Sequence, residues 1–222
     1  MALINYHSQE KEILLEVFEN TKLDHWIARH IESFMYEYVQ EKYEDDSTKS
    51  IYTTRFGEKH GMCYDFWPNG NMLRQCNYSY DEKQGEEKEW REDGTLLITQ
   101  TFENDRRNGL YRVWWRNGNL REMRVYVNDD IHGETMEFYN NGQLACLANM
   151  SFGVLDGEFK MWHENGQLNQ ECVYSDGERE GEYKSYWDNG KPFIHAFYEN
   201  REPVGEYLEY NYYGELTRQI NY

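Results

Sequence analysis

The sequence predicts a mainly β protein: an elongated, twisted, single-layer antiparallel β-hairpin meander of about seven 24-residue repeats, with an N-terminal helical cap. Three observations predict this fold. A glycine recurs every 24 residues without a slip, a second glycine follows nine residues after each of them, and aromatic residues keep fixed positions within the period. Such self-similarity is typical of repeat proteins, in which each unit contacts mainly its neighbours. The first glycines of the units are Gly61, Gly85, Gly109, Gly133, Gly157, Gly181 and Gly205.

Each unit is predicted to form one hairpin, and positions within it are counted as offsets from its first glycine. In the sixth unit, Gly181–Trp187 is predicted to be a strand, because it is rich in β-forming residues. The Asp-Asn-Gly run at 188–190 predicts the turn, and 191–198 the return strand. About six polar residues then lead to the next unit.

The length of the turn decides which side chains share a face. A three-residue turn, with its glycine as a bulge, places offset five opposite offset eleven. We favour this turn because it brings the most regular apolar positions, offsets five, eleven and seventeen, onto one core face. In this register Cys63 and Cys76 lie on opposite faces and cannot form a disulfide. The rings at offset five are Phe66, Trp90, Trp114, Phe138, Trp162, Tyr186 and Tyr210.

Residues 1–50 differ from the repeats and are predicted to be a helical N-terminal cap, followed by the repeat array at 51–222. Ser8 can cap a first helix, and apolar residues at helical spacing predict a second helix that begins near Thr21 or Asp24. The acidic run at 44–47 is interpreted as a linker, and Ile51–His60 as half a unit. A cap that covers the first edge of the sheet is one interpretation, since repeat arrays need such ends. A separate helical hairpin that binds a partner is the other.

Composition and charge exclude several classes of function. With 23 Lys and Arg against 41 Asp and Glu, the net charge is −18, which disfavours nucleic acid or anionic lipid as a partner. Aromatic residues make up 17% of the chain, which argues against disorder. No apolar run approaches the ~20 residues of a membrane helix, and the start resembles no signal peptide, so we expect a cytoplasmic protein. The four cysteines form no C-x-x-C pair and are interpreted as small buried apolar residues.

Motifs for catalysis or metal binding are missing from the sequence. It contains no H-x-x-x-H or H-E-x-x-H pair, no phosphate-binding glycine loop and no G-x-S-x-G. Carboxylates are so abundant that no pair stands out as an acid–base couple. We therefore expect no catalytic residue, no metal and no cofactor, and a protein that is not an enzyme. Glutamates that repeat at offset one indicate a solvated stripe: Glu86, Glu134, Glu158, Glu182 and Glu206.

The pattern Gly-x-Tyr-x-x-Tyr-x-x-Asn-Gly-x-Leu, followed by a tyrosine and a polar segment up to the next glycine, resembles the MORN repeat (membrane occupation and recognition nexus). It is most similar to the variant form found in bacterial antitoxin-like proteins and in proteins of large DNA viruses. The resemblance covers Gly61 to Tyr222. It implies an extended β-hairpin sheet that contacts proteins and, as sometimes proposed, phospholipids.

Offsets two and six are expected on the face opposite the offset-five rings, and nine rings there are candidate partner-binding residues. Unlike the core rings they vary from unit to unit, which suits a recognition surface. The other interpretation is that they pack under a curled sheet. Surrounding carboxylates favour a partner protein with a basic surface. The candidates are Trp67, Tyr111, Trp115, Tyr139, Phe159, His163, Tyr183, Trp187 and Tyr207.

These observations favour a non-enzymatic protein–protein interaction or scaffold module that presents an acidic aromatic sheet face to a partner protein. An antitoxin-like role is one form of this function that the resemblance implies. The alternative is a membrane- or phospholipid-associated module, which the net charge disfavours. The last predicted strand, about Glu215–Tyr222, contains no Pro or Lys to blunt an exposed edge, so two copies could pair through it as a homodimer.

Overall fold

A computed structural model describes residues 35–222. The chain divides into two structural units, Met1–Lys83, of which residues 35–83 are described, and Gln84–Tyr222. The first unit contains β1 (Tyr36–Lys42), β2 (Thr48–Arg55), β3 (Glu58–Lys59), β4 (Gly61–Phe66) and β5 (Met72–Ser79). At the boundary lies β6 (Glu82–Trp90). The second unit continues with β7 (Leu96–Glu103), β8 (Arg106–Arg107), β9 (Gly109–Trp114), β10 (Leu120–Val127), β11 (Asp130–Ile131), β12 (Gly133–Phe138), β13 (Leu144–Ser151), β14 (Val154–Trp162), β15 (Leu168–Ser175), β16 (Glu178–Tyr186), β17 (Pro192–Glu199), β18 (Glu202–Tyr210) and β19 (Leu216–Asn221).

The antiparallel β-hairpin meander expected from the repeats is confirmed within each unit. Apart from the short strands β3, β8 and β11, strands that follow one another in sequence pair antiparallel, from β1 with β2 to β4 with β5 in the first unit and up to β18 with β19 in the second. Each repeat contributes an outgoing strand that ends at its offset-five ring and a return strand that begins at offset eleven. The short strands β3, β8 and β11 are the beginnings of outgoing strands.

The three-residue turn is also confirmed. In the sixth repeat the Trp187 N–H donates to the Lys191 carbonyl at 2.8 Å, and the Gly190 N–H donates to the Trp187 carbonyl at 2.9 Å. Gly190 has φ 80°, the left-handed conformation that a glycine adopts without strain. Tyr186 lies opposite Pro192, which is the predicted pairing of offset five with offset eleven. The same turn closes each hairpin of the array.

A second bulge overturns the expectation that offsets five, eleven and seventeen share one face. Ser185 pairs with Ile194 whereas Tyr186 pairs with Pro192, so Phe193 at offset twelve has no residue opposite it. The extra residue shifts the side-chain alternation of the return strand by one position. Offsets five and eleven therefore lie on one face with offsets one, three, fourteen and sixteen, which we call the row face. Offset seventeen lies on the other face with offsets two, four, thirteen and fifteen, which we call the ring face.

The same bulge corrects the placement of Cys63 and Cys76. They are directly opposite each other on β4 and β5, not on opposite faces. Each is only 1% exposed, and together with Tyr78 they form a buried cluster. No disulfide joins them. Their interpretation as small buried apolar residues is therefore confirmed, while the expectation that they lie on opposite faces is wrong.

Tight turns, and not six-residue loops, connect successive repeats. Val127 pairs with Asp130, so the connection consists of Asn128 and Asp129 alone. Both have positive φ, at 51° and 74°, as a two-residue hairpin turn of this hand requires. The polar residues that follow belong to the next outgoing strand.

The first glycine of a repeat sits within its outgoing strand, where the chain bulges against the preceding repeat. Gly157 has φ 113°, and a Cβ there would lie 3.1 Å from the Cβ of Asn149. The left-handed backbone conformation disfavours a side chain, and the close approach adds to this at Gly157. All seven first glycines have positive φ, between 65° and 113°, and this shared conformation explains the 24-residue glycine period.

An eighth hairpin precedes the seven that the glycines indicate. Its strands β1 and β2 repeat the register of the others, with Glu37 opposite Thr54 and Lys42 opposite Thr48. The predicted helical cap and linker are therefore wrong for residues 36–50, which form this hairpin. Asp46 replaces the turn glycine at φ 66°, a conformation that Asp tolerates better than most residues. The rest of the predicted cap, residues 1–34, lies outside the described residues.

Candidate functional site

The candidate rings at offset two belong to the packed interior of the ring face. Each contacts the offset-seventeen ring of its own repeat edge-on, as in Tyr183 and Tyr198, whose centroids lie 6.0 Å apart at 85°. Tyr183 is 8% exposed, and Cys172 and Ala196 pack beside it. Rings thus alternate with small side chains across the strands. The other such pairs are Tyr111–Tyr126, Phe159–Tyr174 and Tyr207–Tyr222.

Burial also changes the acidity of these phenols. Desolvation raises the pKa of Tyr111, and the neighbouring Glu122 adds to the increase. The pKa of Tyr207 is raised in the same way, with Glu209 as the nearby charge. A phenol that is harder to ionise stays neutral and packs as an uncharged group.

The candidates at offset six hold neighbouring repeats together. The Tyr139 hydroxyl donates to the Trp162 carbonyl at 2.7 Å, and the Trp115 indole N–H donates to the Phe138 carbonyl at 3.0 Å. In each case the acceptor is the offset-five carbonyl of the next repeat. Trp187 bonds to the Tyr210 carbonyl at 3.2 Å, His163 to that of Tyr186 at 3.0 Å, Arg91 to that of Trp114 at 2.6 Å and Tyr43 to that of Phe66 at 2.8 Å. Trp67, at the same offset, is half-buried.

Sequence reasoning treated the variation at offset six as a sign of recognition. The occupants Trp, Arg, Tyr, His and Asn nevertheless share one property, a side-chain donor. That shared property was the signal for the bond between repeats. The partner-binding role of the nine candidates stays a prediction, and the structure gives eight of them a definite packing or hydrogen-bonding role.

A ladder of asparagines runs along the hairpin turns at offset eight. The Asn165 carbonyl oxygen accepts the Gln167 N–H at 3.0 Å, and its amide N–H donates to the Asp188 carbonyl of the next repeat at 2.6 Å. One side chain therefore closes its own turn and ties it to its neighbour. Asn117, Asn141 and Asn189 make the same pair of bonds.

Rings and carboxylates meet in a groove of about 470 Å³ on the ring face near the turns. Trp115 and Tyr139 line it, together with Glu137 and Glu164. The Arg121 guanidinium lies 5.1 Å from the centroid of the Trp115 ring, so a cation of the protein itself already stacks on this ring. We call this site the aromatic groove. Its chemistry suits a guanidinium or ammonium group.

The row face carries a continuous line of paired residues across the second unit. From Arg112 it runs through Met123, Met136, Leu147, Lys160, Glu171, Lys184, His195 and Leu208 to Gln219. We call this line the central row. Residues directly opposite in antiparallel strands point to the same face, so these side chains are neighbours.

The described residues show no arrangement typical of a metal centre or a reactive thiol. Residues 35–222 contain no group of three or more His, Cys, Asp or Glu side chains placed to hold a metal ion. Burial raises the pKa of Cys146 to about 11, and burial also raises the pKa of Cys63 and Cys172. Such thiols are poor nucleophiles at neutral pH. None of the helices described in residues 35–222 has the length and apolar character needed to cross a bilayer.

Comparison with known proteins places the repeats in a family. A family model described as MORN repeat variant matches six segments, at 59–80, 83–104, 107–128, 131–151, 155–176 and 179–200. Together they cover more than half of the chain. Each begins near the start of an outgoing strand and ends at the last residue of the return strand or in the turn that follows it. A search of curated proteins finds no match to the chain.

Proposed function

The chain belongs to the MORN repeat variant family, and we propose that it is a non-enzymatic interaction module that binds a partner protein with a basic surface. Repeats of this family generally serve as modules for interaction with proteins or membranes. The main support for the proposal is the aromatic groove, where partly exposed rings and carboxylates occur together. A basic toxin is one such partner, which would make the protein antitoxin-like.

The groove is suited to a cationic side chain for two physical reasons. Trp115 and Tyr139 are held in place by hydrogen bonds to the next repeat, so little conformational entropy is lost when a ligand stacks on them. Glu164 is exposed and lines the groove, and Glu137, 3.8 Å from the Arg124 guanidinium, is also exposed, so both carboxylates can be reached by a cation. The net charge of −18 adds a long-range attraction for a basic partner.

Capture of partners by the full chain, with identification by mass spectrometry, tests the proposal. We expect a basic protein whose association slows as salt is raised, because electrostatic steering is screened. Glu137→Gln combined with Glu164→Gln should weaken binding, whereas Glu199→Gln combined with Glu202→Gln, in a turn between repeats, should not. Equal effects of the two pairs would show that only the overall charge matters.

A second pair of variants separates binding from folding. Trp115→Phe and Trp187→Phe each remove an indole N–H that bonds to the next repeat. The Trp187 ring is covered by Phe193, whose centroid lies 4.3 Å away, whereas Trp115 lines the groove. We expect similar losses of stability and a loss of affinity for Trp115→Phe alone. Salt-sensitive co-sedimentation with phosphatidylglycerol vesicles would instead favour a membrane-associated module.

A further inference from the structure

Five apolar side chains form a patch on the row face of the third and fourth repeats. Met136 lies directly between Met123 and Leu147 in the central row, and Leu110 lies opposite Val125 beside them. Leu110 is 38% exposed and the other four are half-buried. Within residues 84–222 the strands form a single layer, and no second layer packs over this patch. We call these five residues the apolar patch.

The fold does not require apolar residues at these positions. Offsets three and fourteen carry Met136 and Leu147 in the fourth repeat but Lys160 and Glu171 in the fifth. The backbone pairing is the same in both repeats. The sheet therefore tolerates charged side chains here, and solvent would favour them. A contiguous apolar patch that the fold does not need is typical of a docking surface.

The ring face is packed along the second unit, whereas the row face changes character. Behind the apolar patch, Val113 and Tyr126 are buried on the ring face beside the ion pair of Arg124 and Glu122. In the fifth and sixth repeats the ring face is packed with rings and small residues around Tyr183. The row face there is charged. Methionine in the patch adds adaptability, since its unbranched side chain fits surfaces of different shape.

An acidic groove of about 380 Å³ adjoins the patch along the same row. Its lining contains four carboxylates and two ammonium groups, so negative charge is in excess. Lys160 pairs with Glu158, Lys184 pairs with Glu182 at 2.7 Å, and Glu171 accepts the Tyr186 hydroxyl at 3.2 Å. Glu180, the fourth carboxylate of the lining, is exposed. We call this site the acidic groove.

We propose that the row face docks one segment of a partner protein, whose apolar side chains cover the apolar patch and whose Lys or Arg side chains enter the acidic groove. Charge complementarity selects this occupant, because the acidic groove would repel both anionic lipid and the acidic groove of a second copy. Met136 and Glu171 are three strands apart, about 14 Å at the usual strand spacing. In a helical segment this corresponds to about nine residues between apolar and basic clusters.

This inference rests on the proposed function, because it names a surface and a partner chemistry for the same module. The probe is a fluorescein-labelled 18-residue peptide of Leu, Ala and Lys, with its leucines in one half and its lysines in the other. A second peptide carries Glu in place of Lys. Binding to the full chain is followed by fluorescence anisotropy at low and at high salt.

The variants copy residues that the array already accepts. Met136→Lys combined with Leu147→Glu gives the fourth repeat the residues of the fifth at these offsets, so the fold should be retained and the net charge is unchanged. Leu208→Lys is the control for the introduced lysine. It places a lysine at offset three of the seventh repeat, where His195 and Gln219 are the neighbours and no apolar patch exists, and it makes the net charge one unit less negative. Circular dichroism and urea midpoints verify that each variant is folded.

We expect the double variant to weaken binding of the Lys peptide at least tenfold and the control to change it less than twofold. Glu171→Gln should weaken binding several-fold and reduce its dependence on salt. The Glu peptide should not bind. Together these results would support the row face as the docking surface.

Four outcomes would overturn the inference. They are failure of the Lys peptide to bind, equal losses for the double variant and the control, binding of vesicles through the apolar patch, and a dimer that the double variant dissociates. The aromatic groove provides the distinction from the proposed function. If the captured partner is lost with Trp115→Phe but retained with the patch variants, the proposed function stands and the row-face inference fails.

Discussion

Removal of a single hydroxyl group tests whether offset-six side chains hold the repeats together. In Tyr139→Phe the ring is retained, and only the hydrogen bond from the hydroxyl to the Trp162 carbonyl, 2.7 Å long, is lost. The ring is half-buried, so the carbonyl becomes partly desolvated without a donor. A net loss of about 1 kcal/mol is expected for a hydrogen bond of this kind, and up to ~2 kcal/mol if water cannot reach the carbonyl.

Equilibrium unfolding in urea measures this loss. A change of 1 kcal/mol corresponds to roughly 2–4 °C in Tm for a protein of this size. Because repeat arrays unfold in a single step only when neighbouring units are strongly coupled, unfolding is followed by both tryptophan fluorescence and circular dichroism. Separation of the two transitions in the variant would indicate that the fourth and fifth repeats have become uncoupled.

Tyr213→Phe provides the control for this experiment. Tyr213 is 75% exposed, and the same hydroxyl is removed where it is largely solvated. We expect no measurable change in the free energy of unfolding. If Tyr139→Phe is as stable as Tyr213→Phe, to within about 0.3 kcal/mol, the hydrogen bond between repeats contributes nothing and the reasoning is wrong.

Three further predictions concern the turns, the thiols and the last strand. Asn165→Asp removes the side-chain amide that donates to the next repeat at 2.6 Å, and it should lower the free energy of unfolding in urea by about 1–2 kcal/mol. Asp93→Asn, at the same offset, should change this free energy little, and equal losses in the two variants would contradict the asparagine ladder. Cys146, with a pKa of about 11, should react with iodoacetamide at pH 8 far more slowly in the native than in the unfolded protein, and equal rates would show that burial does not protect it. Strand β19 pairs with β18 alone among the described strands and has exposed side chains, so light scattering at tens of micromolar should detect a dimer that Gln219→Pro abolishes. A monomer in both proteins would end that idea.

The early part of the array shows why sequence reasoning missed one hairpin. Glycines mark the repeats in the sequence, yet the hairpin of β1 and β2 has Glu37 and Asp46 where later repeats have glycines. Asp46 adopts φ 66° without glycine because short polar side chains tolerate this conformation. Tyr43, which bonds to the Phe66 carbonyl at 2.8 Å, was the remaining mark of the repeat.

The candidate site shows a different limit. The sequence predicts that the rings at offsets two and six lie on the face opposite the offset-five rings, and the strand register confirms this for offset two. It could not distinguish a ring that is buried, such as Tyr183, from one that lines a groove, such as Trp115. That difference depends on which residue lies on the neighbouring strand. The small Ala196 lets Tyr183 pack inward, whereas Arg121 stacks on an accessible face of Trp115.

The sequence by itself determined the period, the hairpins and the three-residue turn, because these depend on local backbone conformations that only glycine and asparagine readily supply. The tertiary structure alone decided which side chains share a face. The second bulge occurs at offset twelve, whose occupants include Leu97, Arg121 and Phe193. A one-residue bulge of this kind requires no particular residue, so it leaves no pattern in the sequence. It nevertheless shifts the alternation of the return strand, and with it the position of Cys76, the apolar patch and the acidic groove.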